Sequence, residues 1–201
     1  MDKDTNTDSI ILASASPRRK EILSSLGVQF SILVADTDES CDIREPFAFA
    51  EELARRKGQA AYALTDKKDS VILSADTIVV CDGEILGKPK SRDDAIRMIK
   101  KLSGKTHSVI TGVGVTVNGI TTTNHSETFV RVDDIPQIEI ERYVDSGDPM
   151  DKAGAYGIQG AFSRWISGID GCYFGVVGLP TNCLANLFYE VTGKELTQFN
   201  V

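Results

Sequence analysis

Three features of the sequence predict an α/β protein with a mixed, twisted central sheet flanked by helices. Apolar runs of strand length alternate irregularly with helical periodicity. Two hairpin signals, Asp82-Gly83 and Asn118-Gly119, join neighbouring strands antiparallel. Val71-Ile72-Leu73-Ser74-Ala75 has the apolar character of a central strand covered on both faces. At 201 residues, 41% of them hydrophobic, the chain can bury a real core in one sizeable domain or two small lobes. It carries no internal repeat, low-complexity segment or clear linker, so residues 1–201 read as a single unit.

The elements follow in order. Residues 1–8 are polar and acidic and read as a flexible tail. Ile10-Ile11-Leu12 is a strand that runs straight into a helix, with Ser16 as N-cap, Pro17 as first helical residue, Ile22, Leu23 and Leu26 as buried stripe and Gly27 as stop. A second strand at 30–34 ends in Asp36-Thr37-Asp38-Glu39. The span 46–64 is helical, with Phe49, Leu53, Ala60 and Ala61 available to one face and Arg55-Arg56-Lys57 in its middle. After a polar turn at 66–69, the strand 71–75 ends at Asp76-Thr77 and 78–81 continues extended. Ser91 and Asp94 open a capped helix whose Ala95, Ile99 and Leu102 share a face, closed by Gly104. Two β-rich segments, 106–117 and 120–132, flank Asn118-Gly119. A short helix starts at Pro136. The last third holds a glycine-rich loop at 154–160, strand-like runs at 162–169 and 173–177, and a helix after Pro180 with Leu184, Leu187, Phe188 and Val191 apolar.

Composition excludes several classes. The formal net charge of −7 opposes a general nucleic-acid or anionic-membrane binder, which needs an extended basic face. No apolar run reaches membrane-span length and residues 1–8 lack a signal-peptide core, so a cytoplasmic protein is expected, with no membrane or nucleic-acid partner. Cys41, Cys81, Cys172 and Cys183 form no C-x-x-C pair and read as small buried thiols. Asn124-His125-Ser126 is a glycosylation sequon only by chance. Gly83 through Pro89 has three residues between its glycines and proline where a P-loop needs Ser or Thr; Gly112-Val113-Gly114 lacks the third glycine of a dinucleotide fingerprint and sits inside a strand. His107 and His125 are the only histidines and read as structural.

What remains is a constellation of charges at element ends. Arg18, Arg19 and Lys20 occupy the first turn of the first helix, where the helix dipole favours acids. The cluster is either a solvated basic turn or a site for a ligand with several negative charges, such as a phosphate chain. Asp38, Glu39 and Asp76 offer hard oxygen ligands for Mg²⁺ or Mn²⁺, while Arg18, Lys57, Lys88 and Lys152 can neutralise phosphates. Together they are the equipment of metal-assisted phosphoanhydride hydrolysis.

These pieces resemble the Maf family of nucleoside triphosphate pyrophosphatases, also called septum formation inhibitor proteins. The matching blocks are Ser14-Ala15-Ser16-Pro17-Arg18-Arg19-Lys20-Glu21, Leu53-Ala54-Arg55-Arg56-Lys57, Ser74-Ala75-Asp76-Thr77, Gly87-Lys88-Pro89, Leu102 to His107, Asp151 to Gly160 and Val177-Gly178-Leu179-Pro180, in family order over nearly the whole chain. The resemblance implies two lobes around a cleft (a Maf/ITPase-like fold) and cleavage of a nucleoside triphosphate between its α- and β-phosphates, with a divalent cation. It implies Asp76 as general base, with Lys57 and Lys88 beside it, and Asp38, Glu39 and Asp76 as metal ligands. Ser14, Arg18, Arg19 and Lys152 are the implied phosphate contacts. Ala75-Asp76-Thr77 and Tyr156 to Gly160 look like the subgroup acting on dTTP and UTP, modified pyrimidine nucleotides included, with Arg18, Thr77 and Gln159 at the specificity positions. A homodimer is left open. Two departures stand out: Gly58, where the family commonly has alanine, weakens its helix by about 0.5–1 kcal/mol, and Asp38 replaces a longer glutamate of some relatives. A nucleotide-binding regulator of cell division with incidental turnover is the alternative, but retention of Asp76 beside the cations favours an enzyme.

Overall fold

The structure, a computed structural model, describes residues 9–38 and 40–198. The expected tail at 1–8 and Glu39 lie outside the described residues. One seven-stranded sheet organises the chain: β1 (Ile10–Leu12), β2 (Phe30–Ile32), β3 (Val71–Cys81), β4 (Glu84–Leu86), β5 (Thr106–Val117), β6 (Ile120–Val132) and β7 (Ile166–Asp170). The order is β2-β1-β3-β5-β6-β7, with β4 added to β3. β1 is parallel to β2 and β3; all other pairs are antiparallel, so the sheet is mixed as predicted. Both hairpin turns have the positive φ of primed turns, at Asp82-Gly83 and Asn118-Gly119.

Helices α1 (Pro17–Ser25), α2 (Pro46–Leu64), α3 (Arg92–Leu102), α4 (Gln137–Asp145), α5 (Tyr173–Val177) and α6 (Thr181–Thr192) cover the sheet. None of the described helices is long and apolar enough to cross a membrane. Capping follows the sequence: the Ser16 side chain accepts from the Arg19 N–H and Ser91 from the Asp94 N–H. Tyr173–Val177 corrects the strand expected there. Its aromatic and β-branched residues suit a strand, but Gly178 at φ 124° ends a single helical turn and its N–H bonds back to Phe174.

Alternation along β3 sorts the packing. Odd-numbered residues face two separate cores. Leu73 and Ala75, with Val113 and Val115 of β5, meet Ile22, Leu23, Leu184, Leu187 and Phe188. Val79 and Cys81, with Val109, meet α3, α4 and the rings of Tyr143, Tyr156, Phe162 and Trp165. Even-numbered residues face α2, whose buried side is small: Ala50, Leu53, Ala54, Gly58 and Ala61. Phe49 and Ala60, expected on that side, are only half-buried. The glycines here serve close approach. A Cβ on Gly112 would lie 2.4 Å from the Ala50 carbonyl oxygen, and one on Gly58 2.5 Å from Thr116 Oγ1. Gly58 is therefore a packing requirement of this chain, which offsets the propensity it sacrifices. Of the cysteines only Cys81 is buried; Cys41, Cys172 and Cys183 are half-buried, and all four are free thiols.

Candidate active site

The cleft opens where β3 changes partners. β5 pairs with it from Ile72 to Val80, but on its other side β1 takes Val71–Leu73 and β4 takes residues 79–81. Among the described residues, 74–78 has no strand neighbour on that side. Strand alternation turns the peptide groups of Ala75 and Thr77 toward this bare edge. Asp76 therefore sits in the middle of an eleven-residue strand rather than at a strand end, as the sequence suggested; Ile78–Cys81 extends the same strand. The site lies at the strand's exchange of neighbours, a place where no backbone continues the sheet.

Asp76 points to α2, as do Ser74 and Ile78. Ser74 Oγ donates to the Ala54 carbonyl at 2.7 Å and so fixes the helix one turn before Lys57. The Lys57 ammonium and the Asp76 carboxylate form a close ion pair, with side chains 18% and 11% exposed. Around them spreads a cleft of about 1140 Å³. It brings together Ser14, Arg18, Arg19, Lys57, Asp76, Thr77, Lys88, Lys152 and Gln159 of the residues predicted from sequence. Its cations are Arg18, Arg19, Lys57, Lys88, Lys90 and Lys152, and its carboxylates Asp36, Asp76, Asp148 and Asp151. Among the described residues, six against four makes the cleft lining cationic in a chain of net charge −7.

The individual cations differ. Lys88 is exposed and makes no ion pair with a described residue; the Gly87 carbonyl beside it accepts from the Gly154 N–H at 3.0 Å, which ties it to the opposite loop. Lys152 is only 13% exposed, donating to the Asp148 carbonyl at 2.5 Å, Asp148 Oδ1 at 3.1 Å and Asp151 Oδ1 at 2.7 Å. Gly157 makes room for its stem, because a Cβ there would lie 2.8 Å from Lys152 Cε. Arg18 stands 3.6 Å from Asp151. Burial works against ionising Asp151, yet Lys152 and Arg18 hold its carboxyl below the ordinary range. Arg19 is a strut: Nε donates to the Gly178 carbonyl at 2.7 Å, Nη1 to Ser14 Oγ at 3.2 Å and Nη2 to Thr77 Oγ1 at 3.1 Å.

The acidic loop is placed differently from the expectation. Asp38 is exposed and does not line the cleft; it accepts from the Ser40 N–H at 2.8 Å and hydroxyl at 2.6 Å, which lower its pKa. Arg56 pins this turn to α2 through the carbonyls of Asp38 and Ser40. Asp36 lines the cleft instead, and Glu39 lies outside the described residues. Among the described residues, no three His, Cys, Asp or Glu side chains gather into a metal cage.

Sequence reasoning missed Asp36, Asp148, Asp151 and Lys90. The four-residue spacing of Asp148 and Lys152 was a readable signal. Tyr143 was beyond reach: its hydroxyl donates to Asp148 Oδ2 at 2.7 Å and accepts from the Gly157 N–H at 3.4 Å, linking α4 to the cleft loop. In that loop Tyr156 is buried in one core and Ile158 in the other, leaving Gln159 exposed at the cleft.

With this geometry in view, the family described as Maf-like protein matches residues 9–191. The chain belongs to the Maf family. Relatives named dTTP/UTP pyrophosphatase align over most of the chain. Maf relatives from Desulforamulus reducens, Agathobacter rectalis and Chromobacterium violaceum are 46%, 44% and 45% identical. These alignments take in 88%, 90% and 92% of this chain and 93%, 95% and 96% of those relatives. Among solved structures, the Staphylococcus aureus Ham1 protein shares 15% identity at a TM-score of 0.46, over 63% of this chain and 72% of that one.

Proposed function

We propose that this Maf protein is a nucleoside triphosphate pyrophosphatase that hydrolyses dTTP and UTP to the monophosphate and pyrophosphate. The observation that carries the reading is the Lys57–Asp76 pair on the bare stretch of β3, inside a cleft with a cationic lining. The relatives named dTTP/UTP pyrophosphatase suggest the substrates.

Asp76 is the cleft carboxylate that meets Lys57 on the bare stretch of β3. An ionised Asp76 can orient a water and accept its proton as the oxygen attacks the α-phosphorus. Lys57, Lys88 and Arg18 then stabilise charge on the leaving pyrophosphate. Lys152 holds three acceptors in the free protein, so a phosphate oxygen has to displace one of them. Arg19 braces this wall through Ser14, Thr77 and the Gly178 carbonyl. Arg18, Thr77 and Gln159 read the base. The glutamine amide offers both a donor and an acceptor to the edge of thymine or uracil.

A divalent cation fits the site in the manner of Mg²⁺, which takes one or two carboxylates and fills its remaining positions with phosphate oxygens and water. Asp76 keeps a second oxygen beyond the one bound to Lys57; Asp38 must release its contacts to Ser40 to offer its carboxylate to the cation. When bound, Mg²⁺ or Mn²⁺ supplies charge neutralisation at the phosphate oxygens.

A nucleotide panel with separate detection of pyrophosphate and orthophosphate tests the reading. Pyrophosphate released from dTTP and UTP, and abolished by a chelator, is the expected result; diphosphate plus orthophosphate as sole products would overturn it.

A further inference from the structure

Between the two cores, on the same face of the sheet, β3 and β5 carry a polar pair, Thr77 opposite Thr111. Thr111 is fully buried and lies beyond contact with any ligand in the cleft. Its hydroxyl donates to the Gly175 carbonyl at 2.8 Å. A carbonyl only accepts, so this bond consumes the single hydroxyl hydrogen of Thr111. The 2.9 Å contact between Thr77 Oγ1 and Thr111 Oγ1 must then run from Thr77 to Thr111. Arg19 Nη2 donates to Thr77 Oγ1 at 3.1 Å, and a guanidinium has no acceptor. The Thr77 hydroxyl has thus spent its hydrogen and one lone pair, and a lone pair is all it can turn toward the cleft that it lines.

We infer that Thr111 is a positioning residue for base choice: with Arg19, it locks Thr77 as a pure acceptor that selects a ring N–H over a bare ring nitrogen. The inference rests on the reading of the cleft as a dTTP and UTP site. Thymine and uracil present N3–H between two carbonyls, whereas cytosine presents an unprotonated N3 that only accepts. A lone pair against that nitrogen leaves both groups unpaired in a partly dehydrated site, which is the arrangement that discriminates strongly. The same polarisation turns away the bare N1 of adenine.

The test compares kcat/KM for UTP and CTP in the wild-type protein, Thr111→Val and Thr111→Ser. Valine keeps the shape of threonine but removes the acceptor, so the Thr77 hydroxyl regains a hydrogen it can donate to cytosine N3. We expect the UTP/CTP ratio to fall about tenfold or more in Thr111→Val and to recover in Thr111→Ser. A chain of hydroxyls that merely satisfies a buried seam would lower both nucleotides equally in Thr111→Val, and that result overturns the inference. Because valine leaves the Gly175 carbonyl without its donor and can weaken folding, a second measurement uses the wild-type protein with 3-deaza-UTP, in which C–H replaces N3–H. Its kcat/KM should lie about tenfold or more below that of UTP; equal values overturn the inference. Failure of the underlying reading is seen separately, as wild-type protein that releases no pyrophosphate from UTP or dTTP.

Discussion

The two cores rest on the same face of the same two strands, β3 and β5, yet they are built from different chemistry. One is almost wholly aliphatic, with Leu12, Leu23, Leu73, Leu179, Leu184 and Leu187 around a single fully buried ring, Phe188. The other stacks Tyr143, Tyr156, Phe162 and Trp165 with neighbouring centroids 4.6–6.0 Å apart. An aliphatic core can place backbone but cannot orient a polar group, and the cleft wall it carries is held by Arg19 instead. The aromatic core has polar tips: Tyr143 reaches Asp148, which holds Lys152, and Tyr156 meets His107 Nε2 at 2.7 Å. Polar positioning is thus built into one core and added as a strut beside the other. Asp76 belongs to neither, since it faces α2.

The largest effect should come from that shared strand. Asp76→Asn keeps the shape of the side chain but cannot accept the proton, so kcat should fall about 10²–10⁴-fold while both cores stay folded. Pyrophosphate release together with a thermal melt checks this; near-wild-type turnover would remove Asp76 from the chemistry and break the division between scaffold and seam.

Phe188→Ala comes next. Truncating a fully buried ring should cost about 3–5 kcal/mol of stability, measured by denaturant unfolding, while kcat per folded molecule stays near wild type. A kcat loss as large as that of Asp76→Asn would show that the aliphatic core orients catalytic groups after all.

A smaller and pH-dependent effect should mark the aromatic core. Burial pushes the pKa of His107 down to about 4, and its Nδ1 has no hydrogen-bond partner among the described residues. The folded state therefore resists a proton that the unfolded chain takes up near pH 6.5. The contribution is fully present above pH 6.5 and is lost as pH falls toward 4. With the folded value at about 4, the loss amounts to roughly 3 kcal/mol. Unfolding free energies of wild type and His107→Gln at pH 7 and pH 4.5 sharpen the point: the variant should show the flatter dependence, and equal slopes would assign the acid sensitivity elsewhere.

Much of this was legible in the sequence because it is local. The helix at Pro46–Leu64, the caps at Ser16 and Ser91, and the primed turns follow from residues within a few positions of one another. The cations of the cleft other than Lys90 were legible from type and motif. The bracing contacts of Arg19 were not, since its partners Gly178, Thr77 and Ser14 come from separate segments of the chain. That Asp38 stands outside the cleft lining was hidden for a related reason: a carboxylate two residues before a serine can close its own turn, and that choice depends on Arg56 pinning the loop.

By itself the sequence determined a mixed α/β sheet, the family blocks and most of the cationic residues of the cleft, because periodicity, turn chemistry and charge are properties of short stretches. Only the tertiary structure decided that Asp76 lies within a strand at its exchange of neighbours, that Gly58 and Gly112 let α2 approach closely enough for Lys57 to meet it, and that Thr111 points the hydroxyl of Thr77. Those facts depend on register and on helix-to-sheet distance, which are set by packing between segments far apart in the chain.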